Sequence, residues 1–162
     1  MTVNKYDCFT IRKAIKDDAE AILNITRESF IKYVKDSGLT VAIEALTESL
    51  DDIVNDIDKK DVYILLVNKK PVGSIRVEIL QDGSAYISRF GVLPEYQNLG
   101  IGKSLLEHVE NALKTRGVKK IVLHTASKNK DLICFYYSRG FYVDSTTKER
   151  GYIRALMVKE LE

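Results

Sequence analysis

Gln97-Asn98-Leu99-Gly100-Ile101-Gly102-Lys103-Ser104 is the stretch whose residue types and spacing could grip a phosphate. It follows a strand-like run, Ala85 to Val92, and a breaker, Pro94, and it opens into an amphipathic segment, Ser104 to Arg116. A strand feeding a glycine-punctuated turn and then a helix is an anion-binding arrangement. The first-turn N–H groups of the helix have no backbone partners, and the positive end of its dipole favours a phosphate. Gly100 and Gly102 remove side chains so that a pyrophosphate can approach the backbone. A Walker A loop needs a glycine at the position of Gln97, and a dinucleotide fingerprint needs one at the position of Leu105. Both patterns therefore fail here.

The pattern that fits is Gln-x-x-Gly-x-Gly inside a wider frame. Val92-Leu93-Pro94-Glu95-Tyr96 precedes it, and Asn129 with Phe135-Tyr136-Tyr137-Ser138-Arg139-Gly140-Phe141 follows. This resembles the GCN5-related N-acetyltransferase superfamily. Phe9 to Ala14 with Asp17-Asp18 is similar to that family's first strand and helix start, and Arg154 to Leu161 to its last strand. Met1 to Cys8 lies outside the resemblance.

The resemblance implies acetyl-coenzyme A as cosubstrate, with Gln97, Asn98, Leu99, Gly100, Ile101, Gly102, Lys103 and Ser104 at its diphosphate. It implies that Phe90-Gly91-Val92 pairs its backbone with the pantetheine arm like an added strand. A bulge there turns an N–H towards the thioester oxygen, where it would steady developing negative charge. Gly91 suits a bulge. Tyr136, seven residues after Asn129, is the expected general acid at the departing sulfur, since a phenol within reach can donate a proton. Asn129 is expected near the pantetheine region.

His124, five residues before Asn129, is the candidate base. Some protein-N-terminal acetyltransferases of the superfamily carry a glutamate at the corresponding place. An imidazole with an ordinary pKa of ~6.5 is largely neutral near pH 7 and could serve. Glu78 and a water relay are competing bases. Phe30, Tyr33, Glu78, Tyr152 and the Lys148-Glu149-Arg150 turn are expected on the acceptor side. The acceptor is expected to be a small amine, with a protein N-terminus as the alternative because His124 to Phe141 resembles ribosomal-protein N-terminal acetyltransferases. A non-catalytic acyl-coenzyme A sensor and an imperfect ATP-binding loop are the other readings. Cys134, with no histidine placed beside it, reads as a buried small apolar residue. His108 reads as surface or packing. No cluster has metal-ligand spacing, so no metal is expected.

These residues need a frame to hold them. Thr10 to Ala14 alternates as a strand, and Asp17 or Asp18 can cap a helix through Ile22, Ile25, Thr26 and Phe30. Ile43, Leu46, Leu50, Ile53 and Ile57 form a stripe that predicts one helix over Thr40 to Asp58. Val62 to Val67 and Val72 to Leu80 flank turn residues Asn68 to Pro71, and Asp82-Gly83 leads to Ala85 to Val92. After the loop come a helix with Leu105, Leu106, Val109, Ala112 and Leu113 on one face, then Gly117 as its stop. Lys120 to Thr125, a helix from Asp131 to Arg139, and strands at Phe141 to Asp144 and Tyr152 to Val158 complete the chain. The order β-α-α-β-β-β-α-β-α-β-β implies an α/β fold. A mixed, mostly antiparallel sheet of about seven strands would carry about four helices on its two faces, and the resemblance implies that the cofactor lies where central strands separate.

The 162 residues are expected to form one domain, spanning 1–162. Their 45% hydrophobic and 30% charged residues are ordinary for a globular protein. The net charge of +2, spread along the chain, gives no reason to expect nucleic acid or a membrane surface as partner. No run approaches the ~20 apolar residues of a membrane helix, and no signal peptide is legible. Two cysteines are too few for a disulfide framework. The cytoplasm is the expected compartment, and the resemblance suggests a homodimer through the last strands.

Overall fold

The computed structural model describes residues 9–162. Its sheet is built from β1 (Phe9–Lys13), β2 (Asp61–Val67), β3 (Lys70–Ile79), β4 (Ala85–Val92), β5 (Lys120–Ala126), β6 (Tyr142–Thr147) and β7 (Arg154–Glu160), in the order β1-β2-β3-β4-β5-β7-β6. The helices are α1 (Ala19–Asp36), α2 (Leu50–Lys59), α3 (Ile101–Thr115) and α4 (Lys130–Ser138). Every strand pair is antiparallel except β4 with β5. The fold is therefore the mixed α/β architecture expected from the sequence.

β2 reads as an unbroken apolar run because both of its faces are buried. Val62 and Ile64 pack with Ala19, Ile22 and Ile53 of α1 and α2. The alternate residues Tyr63, Leu65 and Val67 pack in the larger core with Leu105, Leu106 and Val109 of α3. The β2–β3 hairpin turns on Asn68 and Lys69, both at positive φ (49° and 70°), as a tight primed turn requires. α3 stops where Gly117 takes φ 78° and Val118 N–H bonds back to the Leu113 carbonyl.

The sheet divides in its middle. β4 and β5 pair only at Ala85↔Ile121 and Tyr86↔Val122. Beyond that point β4 stays with β3, while β5 stays with β7 along its whole length. A bulge explains the parting. Ser74 pairs with Gly91 and Arg76 with Ser88, so Arg89 and Phe90 together oppose Ile75. Two residues against one bend and twist a strand away from its neighbour.

Three expectations are corrected. Asp18 does not cap α1 with its side chain. Its carboxylate accepts from Ile15 N–H at 2.8 Å and pairs with the Arg12 guanidinium at 2.8 and 3.0 Å, closing a short turn over Lys16–Asp18 instead. Thr40 to Asp58 is not one helix. Glu44–Leu46 forms one tight turn, and a new helix starts at Leu50. Ser49 restarts it: its hydroxyl accepts from Asp52 N–H at 3.2 Å, and the Asp52 carboxylate accepts from Ser49 N–H at 2.9 Å. Third, Cys134 is exposed rather than buried, because α4 turns that face outwards. Cys8 lies outside the described residues.

Candidate functional site

The gap between β4 and β5 opens into a cleft of about 590 Å³. Its walls come from α1, the turn before α2, β4, the loop into α3, β5, α4 and the segment before β7. Of the residues singled out in the sequence, Phe30, Tyr33, Phe90, Gly91, Val92, Gln97, Asn98, Gly100, Gly102, Lys103, His124, Asn129, Tyr136 and Tyr152 line this one space. Four do not. Ile101 is buried in the core and Leu99 packs against it. The Ser104 hydroxyl turns back to the Gly100 carbonyl at 3.0 Å. Glu78 is exposed at the end of β3 with Lys60 Nζ 3.9 Å away, so the cleft does not offer it as a base.

The loop half of the cleft is made of backbone. Gly100 starts α3 at φ 83° with no side-chain cap. The N–H groups of Ile101, Gly102 and Lys103 have no backbone acceptor among the described residues, and the first bond of the helix is Ser104 N–H to the Gly100 carbonyl at 3.0 Å. These are the orphan donors that hold an anion at a helix start. Gln97 steadies the loop by donating from Nε2 to the Val92 carbonyl at 2.9 Å. A Cβ on Gly102 would meet only the rings of Phe90 and Phe135, at 3.6 and 3.8 Å. Protein packing therefore tolerates a methyl there, and the space it would enter is the cleft between two aromatic rings.

Gly91 has a different reason from the expected one. The bulge residues are Arg89 and Phe90, and Arg89 itself takes φ 48°. Gly91 is paired in the ladder, but a Cβ on it would lie 2.2 Å from Ser29 Oγ and 2.9 Å from Ser29 Cβ. The glycine lets α1 pack directly on β4. A non-glycine residue at positive φ is strained. Arg89 is held there by its Nε, which donates to Glu48 Oε2 at 2.7 Å. Glu48 is almost fully buried and also pairs with Arg76, whose guanidinium bonds Asp56 at 2.9 Å. Sequence reading missed this network, since its members lie far apart along the chain.

Tyr136 is buried, its ring packed edge-on against Phe135 and Phe141 at centroid distances of 5.3 and 5.5 Å. Burial pushes its phenol well above the usual range. It therefore stays protonated, as a proton donor must. Its hydroxyl has no hydrogen-bond partner among the described residues, and it lines the cleft.

His124 is half-buried on β5, with Nδ1 2.6 Å from the Tyr86 hydroxyl. Burial, then the nearby cations Arg154 and Arg150, lower its pKa below 6.5, which keeps the imidazole neutral. When Nδ1–H donates to Tyr86, Nε2 carries the free lone pair. Tyr86 was not singled out in the sequence. The fold brings it to His124 by the brief β4–β5 pairing.

Asn129 serves the frame more than the cleft. Its Oδ1 accepts from Leu132 N–H at 3.2 Å to cap α4, and its Nδ2 donates to Ser37 Oγ at 3.0 Å. Tyr33 spans the divided sheet: its hydroxyl accepts from Ala126 N–H at 2.8 Å and lies 3.5 Å from the Tyr152 hydroxyl. His108 packs on Tyr63 with centroids 5.3 Å apart, away from the cleft. Among the described residues no helix is long and apolar enough to cross a membrane.

The geometry can be set beside known proteins. A family model described as the acetyltransferase (GNAT) family matches residues 19–141. The spermidine N(1)-acetyltransferase of Thermoplasma acidophilum is 28% identical over 149 residues, covering 84% of this chain and 89% of that protein. The ribosomal protein bS18-alanine N-acetyltransferase of Escherichia coli K12 is 37% identical over 90 residues, 56% of this chain and 59% of the relative. Among solved structures, the PaiA N-acetyltransferase of Thermoplasma acidophilum in complex with coenzyme A superposes with a TM-score of 0.82 at 23% identity, covering 95% of this chain and 99% of that one. The Escherichia coli ribosomal-protein-S18-alanine N-acetyltransferase superposes at 0.76 and 21% identity, covering 96% and 95%. At these identities the superpositions speak for the fold. The chain belongs to the acetyltransferase (GNAT) family and is an N-acetyltransferase, with acetyl-coenzyme A the acetyl donor of that family.

Proposed function

We propose that this protein transfers the acetyl group of acetyl-coenzyme A directly to a small primary amine, both substrates being held in the cleft together. The observation that carries the reading is the convergence in one cleft of an uncapped helix start, a neutral histidine and a buried, protonated tyrosine. The chain fits the donor: the orphan N–H groups of Ile101, Gly102 and Lys103 match a diphosphate, and the open space at Gly100, where a Cβ would meet nothing within 4 Å, admits it. The β5-facing edge of β4 after Tyr86 has no strand beside it among the described residues and suits an extended amide-bearing arm. Bound acetyl-coenzyme A supplies the activated acetyl group, as a thioester.

The chain's own residues do the rest. His124 Nε2 takes a proton from the acceptor ammonium, so that the free amine is present to attack. Tyr86 fixes the ring that does so. Tyr136 gives its proton or a hydrogen bond to the departing sulfur. The bulge at Arg89–Phe90 fixes the backbone beside the reacting carbonyl. Holding two substrates in line contributes a large share of the acceleration. The test is thiol release on mixing acetyl-coenzyme A with a panel of amines. Release that needs both the amine and His124 supports the reading, and release that ignores the amine contradicts it.

A second reading has a specific support. The relative that shares 37% identity over 90 residues is named for acetylating a protein alanine. A peptide acceptor would then replace the small amine in the same cleft, and a peptide arm in the panel distinguishes them.

A further inference from the structure

The acceptor side of the cleft is lined by several charged residues, and most are already matched. Among the described residues, Lys32 pairs with Asp36, Arg89 with Glu48 and Arg150 with Glu44. Arg154, which also lines the cleft, has no carboxylate partner among the described residues. Its Nε is buried with no hydrogen-bond partner among the described residues.

The strands place this guanidinium close to the chemistry. His124 pairs with Leu156 and Ala126 with Arg154 across β5–β7, so Arg154 is the diagonal neighbour of His124 on the same face. Diagonal neighbours in a sheet lie roughly 7 Å apart. Arg154 also bears on the Tyr86 hydroxyl, which itself touches His124. Glu149 acts on His124 from the turn before β7, opposing the two arginines, and Asp131 sits in the first turn of α4. Neither pairs with Arg154.

A part-buried guanidinium with an unmatched donor is costly unless a partner arrives. Its planar fork suits a carboxylate taken up by two parallel bonds. A polycation entering this space would meet that like charge beside His124. We propose that the acceptor is an amine that also bears a carboxylate, which Arg154 holds while the amine faces His124. The inference rests on the acetyl-transfer reading above and names its substrate class. The short span from Arg154 to His124 suits an amino acid, free or as the first residue of a peptide, better than a long polyamine.

The experiment uses the whole chain saturated with coenzyme A for calorimetric binding, and with acetyl-coenzyme A for thiol release. One arm sets L-alanine and L-glutamate against L-alaninamide. Another sets Glu-Ala-amide against Gln-Ala-amide, and spermidine is the third. In either of the first two arms the carboxylate-bearing compound should bind roughly 10–100-fold more tightly than the amide set against it. Arg154→Gln should erase that preference while leaving the affinity for the amide unchanged, and Arg154→Lys should restore part of it. Which arm responds tells a free amino acid from a peptide. Preference for spermidine, equal use of carboxylates and amides, or an unchanged preference in Arg154→Gln overturns the inference, as does turnover of none of these acceptors. Acetyl-coenzyme A binding, measured on the same preparations, reads the donor claim separately: its loss sinks both, whereas donor binding with a polyamine preference sinks the acceptor class alone.

Discussion

The two halves of the cleft are built from different materials. The donor half is backbone: a glycine at positive φ, three unmatched N–H groups and a strand edge left bare by the divided sheet. The acceptor half is side chain: His124 on Tyr86, Tyr33 on Tyr152, and arginines on acids from the turn before α2. Backbone donors can hold any diphosphate of the right shape with little regard to neighbouring side chains. Side chains at the far end decide what is acetylated. One fold can therefore keep its donor and change its acceptor by altering only the second half.

Substitutions at both ends probe that division. The largest effect is expected at His124. His124→Gln should lower kcat/KM by about 10²–10⁴ while leaving acetyl-coenzyme A affinity unchanged, as calorimetry would show. In the unaltered protein kcat/KM should rise with pH along a limb whose midpoint lies below 6.5. The lowered pKa makes the imidazole neutral, and so a base, already in mildly acidic solution. A midpoint above 6.5 would count against burial, and then the two arginines, as what sets the imidazole.

Tyr136→Phe comes next, with a loss of about 10² in kcat and little change in KM. Unchanged turnover would make Tyr136 a packing residue and leave the departing sulfur to another donor. On the donor side, Gly102→Val should weaken acetyl-coenzyme A binding by about 10–100-fold, because its side chain fills the gap between Phe90 and Phe135. The protein should still fold, since a Cβ there stands at ordinary contact distance from both rings.

Gly91→Ala tests the seam between the halves. Its methyl would collide with Ser29, so a loss of about 1–3 kcal/mol in unfolding free energy is expected, partly recovered by adding Ser29→Gly. The smallest effect is far from the cleft. Asp18→Asn should cost about 1–2 kcal/mol, by removing a carboxylate that ties Arg12 to Ile15 N–H. The Asp18 pKa is lowered by Arg12, so this stabilisation is full above 3.8 and is lost as pH falls through the folded-state value.

The same division governs what could be read from sequence. The donor half is local: strand, turn and helix are contiguous over Ala85 to Thr115, and β4 runs over the strand-like stretch expected after the Asp82-Gly83 turn. Gly91 shows the limit even there. Its presence next to a bulge suggests that it makes the bulge, yet the bulge residues are Arg89 and Phe90, and the glycine answers to a serine on α1. The break before α2 was signalled by Ser49-x-x-Asp52, but the apolar stripe from Ile43 to Ile57 overrode that cue. The acceptor half is non-local. Glu48 meets Arg89 across 41 residues and Tyr86 meets His124 across 38, so no window of sequence contains either pair. Glu78 was attractive by type alone, and Lys60 claims it at the sheet's edge.

The central claim is that the helix-start loop holds a coenzyme A diphosphate. Calorimetric titration of the purified chain with acetyl-coenzyme A, coenzyme A and ATP tests it most directly. The account predicts about micromolar binding of both coenzyme forms, with ATP much weaker. No binding of either coenzyme form would contradict it and leave Gln97 to Ser104 as a turn into a helix.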